Sequence, residues 1–89
     1  VIQSFADEQT EQLFRRIPVR RVPPALQQQA YKRLSYVNAA KRIEDLYIPP
    51  SNHFHAVGNR FALRVNLQWR ITFIWSDTGP SDVLFEDYH

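Results

Sequence analysis

Hydrophobic periodicity changes once along this 89-residue chain, near Asn52, and that change restricts the folds open to it. Before it, apolar residues recur three and four apart: Leu26, Ala30, Leu34 and Val37 share one face of a predicted helix. After it the period is two. In QWRITFIWS (68–76), Trp69, Ile71, Phe73 and Trp75 fall on one side of a strand, with Arg70, Thr72 and Ile74 on the other. Each pattern buries its apolar face only when the two are packed together. The chain therefore reads as α+β: a compact, mainly antiparallel sheet packed by two N-terminal helices. Its length suits one domain, residues 1–89, with one modest core.

Local signals place the elements. VIQSF (1–5) reads as a short strand. Asp7 is positioned to cap a helix through DEQTEQLFRRI, with Glu8 and Glu11 at its favourable end, Arg15 and Arg16 in its last turns and Pro18 as its stop. VRRVPP (19–24) connects to a second helix running from near Pro24 to about Ala40. IEDLYIPP holds one helical turn before Pro49 and Pro50 impose an extended exit. HFHAV, FALRVN, QWRITFIWS and SDVLFEDYH are four further strands, with DTGP (77–80) as the turn between the last two. The order is β-α-α-β-β-β-β. Two helices separate the first strand from the rest, so it is expected beside a non-sequential neighbour. Ile74, on the second face of QWRITFIWS, marks that strand as central.

Composition excludes several chemistries. Without cysteine there is no disulfide framework and no thiolate nucleophile, which fits a reducing compartment. No apolar run approaches the roughly 20 residues of a spanning helix, and no basic-then-apolar leader is seen. The expected location is cytoplasmic, with no membrane partner. His53 and His55, two apart in an expected strand, project alike but lack an HExxH pattern, a cysteine cluster or an acidic companion. Neither a metal nor a cofactor is expected. Charge is uneven: residues 1–42 carry eight Lys/Arg against three Asp/Glu, whereas residues 43–89 carry three against six. The basic half suggests an anionic partner or a solvated helix face.

Phosphodiester cleavage of RNA suits the side chains available. RNA carries its own nucleophile in the 2′-OH, so the protein must move two protons and stabilise phosphate charge. His and Tyr suit the transfers, and Arg offers paired donors to phosphate oxygens. Arg70 is the candidate phosphate clamp; Arg64 flanks the groove or forms a surface ion pair. The chain closes on Asp87, Tyr88 and His89. Alternation puts Asp87 and Tyr88 on opposite faces. Asp87 orients a neighbouring His or Arg, or is an edge residue. Tyr88 stacks on a base or donates a hydrogen bond, or is a half-buried strand residue. His89 adds an imidazole beside the α-carboxylate, or is a free end. Trp69, Phe73 and Trp75 read as core rather than a base-stacking platform.

The opening IQSF, the internal RVNLQWRITFIW and the closing FEDYH resemble the HigB branch of the RelE/ParE toxin superfamily. The likeness covers nearly the whole chain in the same order, and RVN-x-x-WRI-x-F followed by DYH is its specific part. It implies a ribosome-dependent mRNA interferase that cuts the message in the ribosomal A site through 2′-OH attack, leaving a 2′,3′-cyclic phosphate and a 5′-OH. Its partners are then the ribosome with bound mRNA and a HigA-type helix-turn-helix antitoxin, with DNA engaged only through the antitoxin complex.

Residue by residue, the family's L-H-x-L motif resembles Phe54-His55-Ala56-Val57 and puts His55 at a catalytic position. The polar residue before the Trp resembles Gln68, the Arg after it is Arg70, and the terminal residues are Asp87, Tyr88 and His89. The resemblance implies His89 in proton transfer with His55 as its counterpart, acid and base unassigned, and Tyr88 aligning or stacking the A-site nucleotide. Arg20, Arg21, Lys32, Arg33 and Lys41 are expected to hold ribosomal RNA. The sequence departs from the family where Val57 runs straight into Gly58-Asn59: a lysine and a few loop residues common in relatives are missing, and Arg60 is the cation that could compensate. Two other readings are a noncatalytic toxin of the superfamily that binds a protein target, and a free RNA-binding module.

Overall fold

The computed structural model describes residues 1–88. Helices α1 (Glu8–Phe14) and α2 (Pro24–Ala39) precede two short 3₁₀ segments, Ile43–Tyr47 and Pro50–Asn52. Four strands follow: β1 (His55–Val57), β2 (Arg60–Arg64), β3 (Trp69–Ser76) and β4 (Gly79–Asp87). They form an antiparallel sheet in the order β1-β2-β3-β4, so β3 is central as expected.

Both helices start as their sequences suggest, and α2 also ends where expected, at Ala39 with Ala40 as its cap; α1 ends early. The Asp7 carboxylate accepts the Thr10 N–H at 2.8 Å and caps α1. The helix ends at Phe14 rather than running through RRI. Arg16 takes a left-handed φ of 61°, its N–H bonds the Leu13 carbonyl, and the Ile17 N–H reaches back to the Gln12 carbonyl at 2.9 Å. That is a Schellman closure with arginine where glycine is usual, and it turns the chain before Pro18 acts. Pro24 opens α2, where its missing N–H costs nothing. Ala30, Leu34 and Val37 of α2 are buried against Ile71, Phe73, Val83 and Phe85 of the sheet.

The aromatic residues complete this core. Phe54 stacks on Phe61 at 5.5 Å, and Trp69 lies parallel to Phe85 at 4.7 Å with 5° between planes. Trp69, Phe73 and Trp75 all pack with the core, as their alternation indicates.

Residues 1–5 do not form a strand. A single parallel bridge joins Phe5 to Val83. The segment instead covers the free edge of β4: Gln3 N donates to the Pro80 carbonyl, Val83 N to the Ser4 carbonyl and Ala6 N to the Val83 carbonyl. Asp82 N finds the Ser4 hydroxyl, and Phe85 N the Thr10 hydroxyl at 2.9 Å. An edge strand needs such cover. Helix α1 starts too soon after Phe5 for a longer ladder.

Two local departures bear on the open side of the sheet. His53 lies outside β1 with φ 46°, after the second 3₁₀ segment, so His53 and His55 do not project as strand neighbours. In β4, Asp82 adopts φ 53° at a register shift opposite Thr72 and Ile74, a bulge that swings its side chain out. The β1–β2 connection is a two-residue turn, Gly58-Asn59, with Val57 paired to Arg60; Gly58 supplies the positive φ of 60°.

The first 3₁₀ segment is closed by Asp45, whose carboxylate accepts the Lys41 and Arg42 N–H groups at 2.9 and 3.1 Å. Those bonds, Lys41's first, hold its carboxyl below the ordinary value. Its stabilising effect is therefore present at neutral pH and lost as pH falls through that lowered value. Among the described residues no helix is long and apolar enough to cross a membrane.

Thr10 is fully buried and ties α1 to β4. Thr10→Val keeps the shape and strands the Phe85 N–H. Urea unfolding should show a loss of about 1–3 kcal/mol, with Thr10→Ser losing less.

Candidate active site

Core burial on one side of the sheet decides what stands on the other. Leu63 opposes Ile71 and Phe61 opposes Phe73, so the alternate residues of β2 and β3 point away from the helices. Arg64 is directly opposite Arg70, and Arg70 is directly opposite Glu86. One step along, His55, Ala62, Thr72 and Leu84 form a second row across all four strands. Arg60 lies two residues before Ala62 on the same face. All three cations of the acidic half of the chain, Arg60, Arg64 and Arg70, therefore stand on this open face.

A chain of hydrogen bonds crosses it. Arg60 Nη1 meets the Asp82 carboxylate at 2.7 Å, and Arg60 Nη2 donates to the Asp82 carbonyl at 2.5 Å. Arg60 Nε donates to the Thr72 hydroxyl at 3.2 Å, and that hydroxyl donates to Glu86 at 2.7 Å. The other oxygen of Glu86 lies 3.6 Å from Arg70 Nη2. The Arg70 guanidinium in turn sits 5.1 Å from the centre of the Tyr88 ring, within cation–π range.

What the network leaves unsatisfied is equally informative. Arg64 Nε, Arg70 Nε and the Tyr88 hydroxyl are buried without a hydrogen-bond partner in the protein. Each can donate, and buried donors are ordinarily paired. Like charges on directly opposed strand positions, as Arg64 and Arg70 are, also repel. An anion with several oxygens is the ligand that relieves both costs.

His55 stands at the rim, exposed, at the start of β1. Its Nδ1 is 2.7 Å from the His53 carbonyl, which can only accept, so Nδ1 donates there and Nε2 is the nitrogen left to face a ligand. Strand spacings put the His55 and Arg70 Cα atoms about 12 Å apart, a span two side chains and one nucleotide fill.

The other residues singled out in the sequence fall in three groups. Asp87 opposes Trp69 and so shares the helix side, where its carboxylate takes a hydrogen bond from Gln68 Nε2 at 3.0 Å. Tyr88 is on the Arg70 side, as alternation requires. His89 lies outside the described residues. Arg20, Arg21, Lys32 and Lys41 are exposed and do not join the open face. Lys32 borders a groove of about 500 Å³ together with Arg16 and Tyr31, where the Arg16 guanidinium covers the Tyr31 ring at 3.9 Å. Arg33 is half-buried and donates through Nε to the Arg64 carbonyl, linking α2 to the end of β2. Arg60 is engaged with Asp82 and Thr72.

Sequence reasoning missed Thr72, Asp82 and Glu86. Glu86 shares the alternation of Tyr88, a signal that was present, but its place beside Arg70 depends on a register the sequence does not state. Among the described residues no group of three His, Asp or Glu side chains is arranged to hold a metal ion.

The repulsion between Arg64 and Arg70 makes a prediction about stability. Arg64→Gln should be as stable as the parent or up to about 1 kcal/mol more stable at low salt. The difference should fade as salt screens the pair. Thermal unfolding at two ionic strengths measures it, and a clear loss of stability at low salt would contradict the repulsive reading.

A family model described as RelE-like toxin of type II toxin-antitoxin system HigB matches residues 3–89. Toxin HigB-1 of Vibrio cholerae serotype O1 is 35% identical over 78 residues, covering 82% of this chain and 82% of that protein.

Proposed function

Since the chain belongs to the family of RelE-like HigB toxins of type II toxin-antitoxin systems, we propose that it is a ribosome-dependent mRNA interferase. The observation that carries this reading is the opposed Arg64 and Arg70 on the sheet face away from the helices, with two buried Nε donors and the Tyr88 hydroxyl left without partners.

In this reading the message lies across the open face and Arg64 and Arg70 take the non-bridging oxygens of one phosphate. The ribose 2′-oxygen attacks phosphorus, the bond to the 5′-oxygen breaks, and the products are a 2′,3′-cyclic phosphate and a 5′-OH. One proton leaves the 2′-OH and one reaches the 5′-oxygen; His55 and His89 carry them. The free Nε2 of His55 suits it to a place in that exchange. The two guanidiniums stabilise the charge that builds on the phosphate, where preorganised donors contribute most. Tyr88, whose ring lies against Arg70, aligns or stacks the A-site nucleotide. Gln68 and Asp87 brace the segment that carries Tyr88.

The exposed Arg20, Arg21, Lys32 and Lys41, with Arg33 behind them, hold ribosomal RNA. Arg60 frames the upper end of the phosphate site. A HigA-type antitoxin with a helix-turn-helix is the cytoplasmic partner that silences the toxin, and DNA is reached only through it. The compressed Gly58-Asn59 turn, with Arg60 committed to Asp82, favours the second reading, a noncatalytic toxin that acts by binding a protein.

Translation in a purified system, with the 5′ ends of the message mapped, separates the two. The parent should give codon-aligned cuts only when ribosomes are present. Arg70→Ala should lower the cleavage rate about 10²–10³-fold, and His89→Ala about 10²–10⁴-fold, both with native circular dichroism. An intact message alongside inhibited growth would overturn the nuclease and leave the binding toxin.

A further inference from the structure

The last strand leaves the sheet at Asp87, and Tyr88 lies beyond it. Its backbone is nevertheless held: Tyr88 N donates to the Gln68 carbonyl at 2.8 Å, and Gln68 Nε2 donates to Asp87. Gln68 is an exposed residue in the β2–β3 hairpin, next to Leu67, which is 88% exposed. An anchor so placed needs its own support.

The support is a side chain. Asn66 Oδ1 accepts both the Gln68 N–H and the Trp69 N–H, each at 2.8 Å. The Val65 and Asn66 N–H groups converge on the Trp69 carbonyl at 2.9 and 3.1 Å. The Asn66 amide oxygen thus does inside the loop what ladder hydrogen bonds do within the strands. It fixes the direction of the Gln68 carbonyl, which fixes Tyr88 N, which sets the Tyr88 ring against Arg70.

We propose that Asn66 is a positioning residue that orients Tyr88 by way of Gln68. The structural part of this inference stands alone; its effect on catalysis rests on the nuclease reading. The chemistry required is a short side chain with an acceptor oxygen one carbon beyond Cβ. Aspartate supplies it and alanine does not.

Two measurements on Asn66→Asp and Asn66→Ala test it. Amide hydrogen exchange read by NMR should show Tyr88 N–H protected in the parent and in Asn66→Asp. In Asn66→Ala it should exchange about 10-fold faster or more, while Ile71 and Phe85 in the sheet keep their protection. In the ribosome assay, Asn66→Ala should lower kcat about 10-fold or more with KM little changed, and Asn66→Asp should restore it. If Asn66→Ala does not fold, Asn66→Ser, whose hydroxyl is a weaker acceptor, should fall between the parent and a full loss. Equal Tyr88 exchange in the parent and Asn66→Ala, or the same loss in Asn66→Asp as in Asn66→Ala, overturns the proposal. A parent that cuts no message removes the nuclease reading, while the exchange comparison still decides the role of Asn66.

Discussion

Burial of Ile71 and Phe73 beneath α2 commits Arg70 and Thr72 to the opposite side of β3, and the rest of the open face follows from that commitment. Leu63 must oppose Ile71 for the core to close, and this same pairing brings Arg64 against Arg70. Phe85 must oppose Ile71 from the other side, which brings Glu86 to Arg70. A slip of one residue in either pairing would send guanidiniums into the core and aromatic rings into solvent. The hydrophobic register therefore holds an arrangement of like charges that no local attraction would assemble.

That arrangement sets stability against binding. Two arginines at directly opposed strand positions, each with an Nε donor shut off from water and without a partner, weaken the folded state at the place where an anion would strengthen it. Glu86 and Asp82 offset part of the charge. The 3.6 Å separation between Glu86 and Arg70 makes a loose pair. Thr72 keeps Glu86 turned toward the network through the 2.7 Å bond from its buried hydroxyl. A face with positive charge concentrated in its middle and carboxylates at its margin suits a ligand that threads across it.

Much of the fold was legible because its signals are local. Asp7 before Glu8, Pro24 at the start of α2, the two-residue alternation of β3 and the turn residues at 58–59 and 77–80 each act over a few residues. What was not legible depends on distant pairing. Residues 1–5 alternate like a strand, but whether they form a ladder depends on how soon α1 begins. Arg16 ends α1 through a left-handed backbone, a role sequence assigns to glycine. The bulge at Asp82 moves a carboxylate toward Arg60 across two strands, and Glu86 gains its meaning only beside Arg70. His55, Arg70 and Tyr88 could be singled out by chemistry and resemblance. That Arg64 and Arg70 are direct neighbours required the register.

The central claim is that Arg64, Arg70 and Tyr88 grip one phosphate together. It is tested most directly by titrating the isotope-labelled protein with a short message-like RNA carrying 2′-deoxyribose at the cleavage position, so that binding proceeds without scission. The NMR signals of Arg64 Nε–H and Arg70 Nε–H should shift together with those of the Tyr88 ring, and the apparent affinity should weaken steeply with salt. Saturable binding that moves signals of the helix side, at Arg16, Tyr31 and Lys32, while both Nε–H signals stay fixed would contradict it.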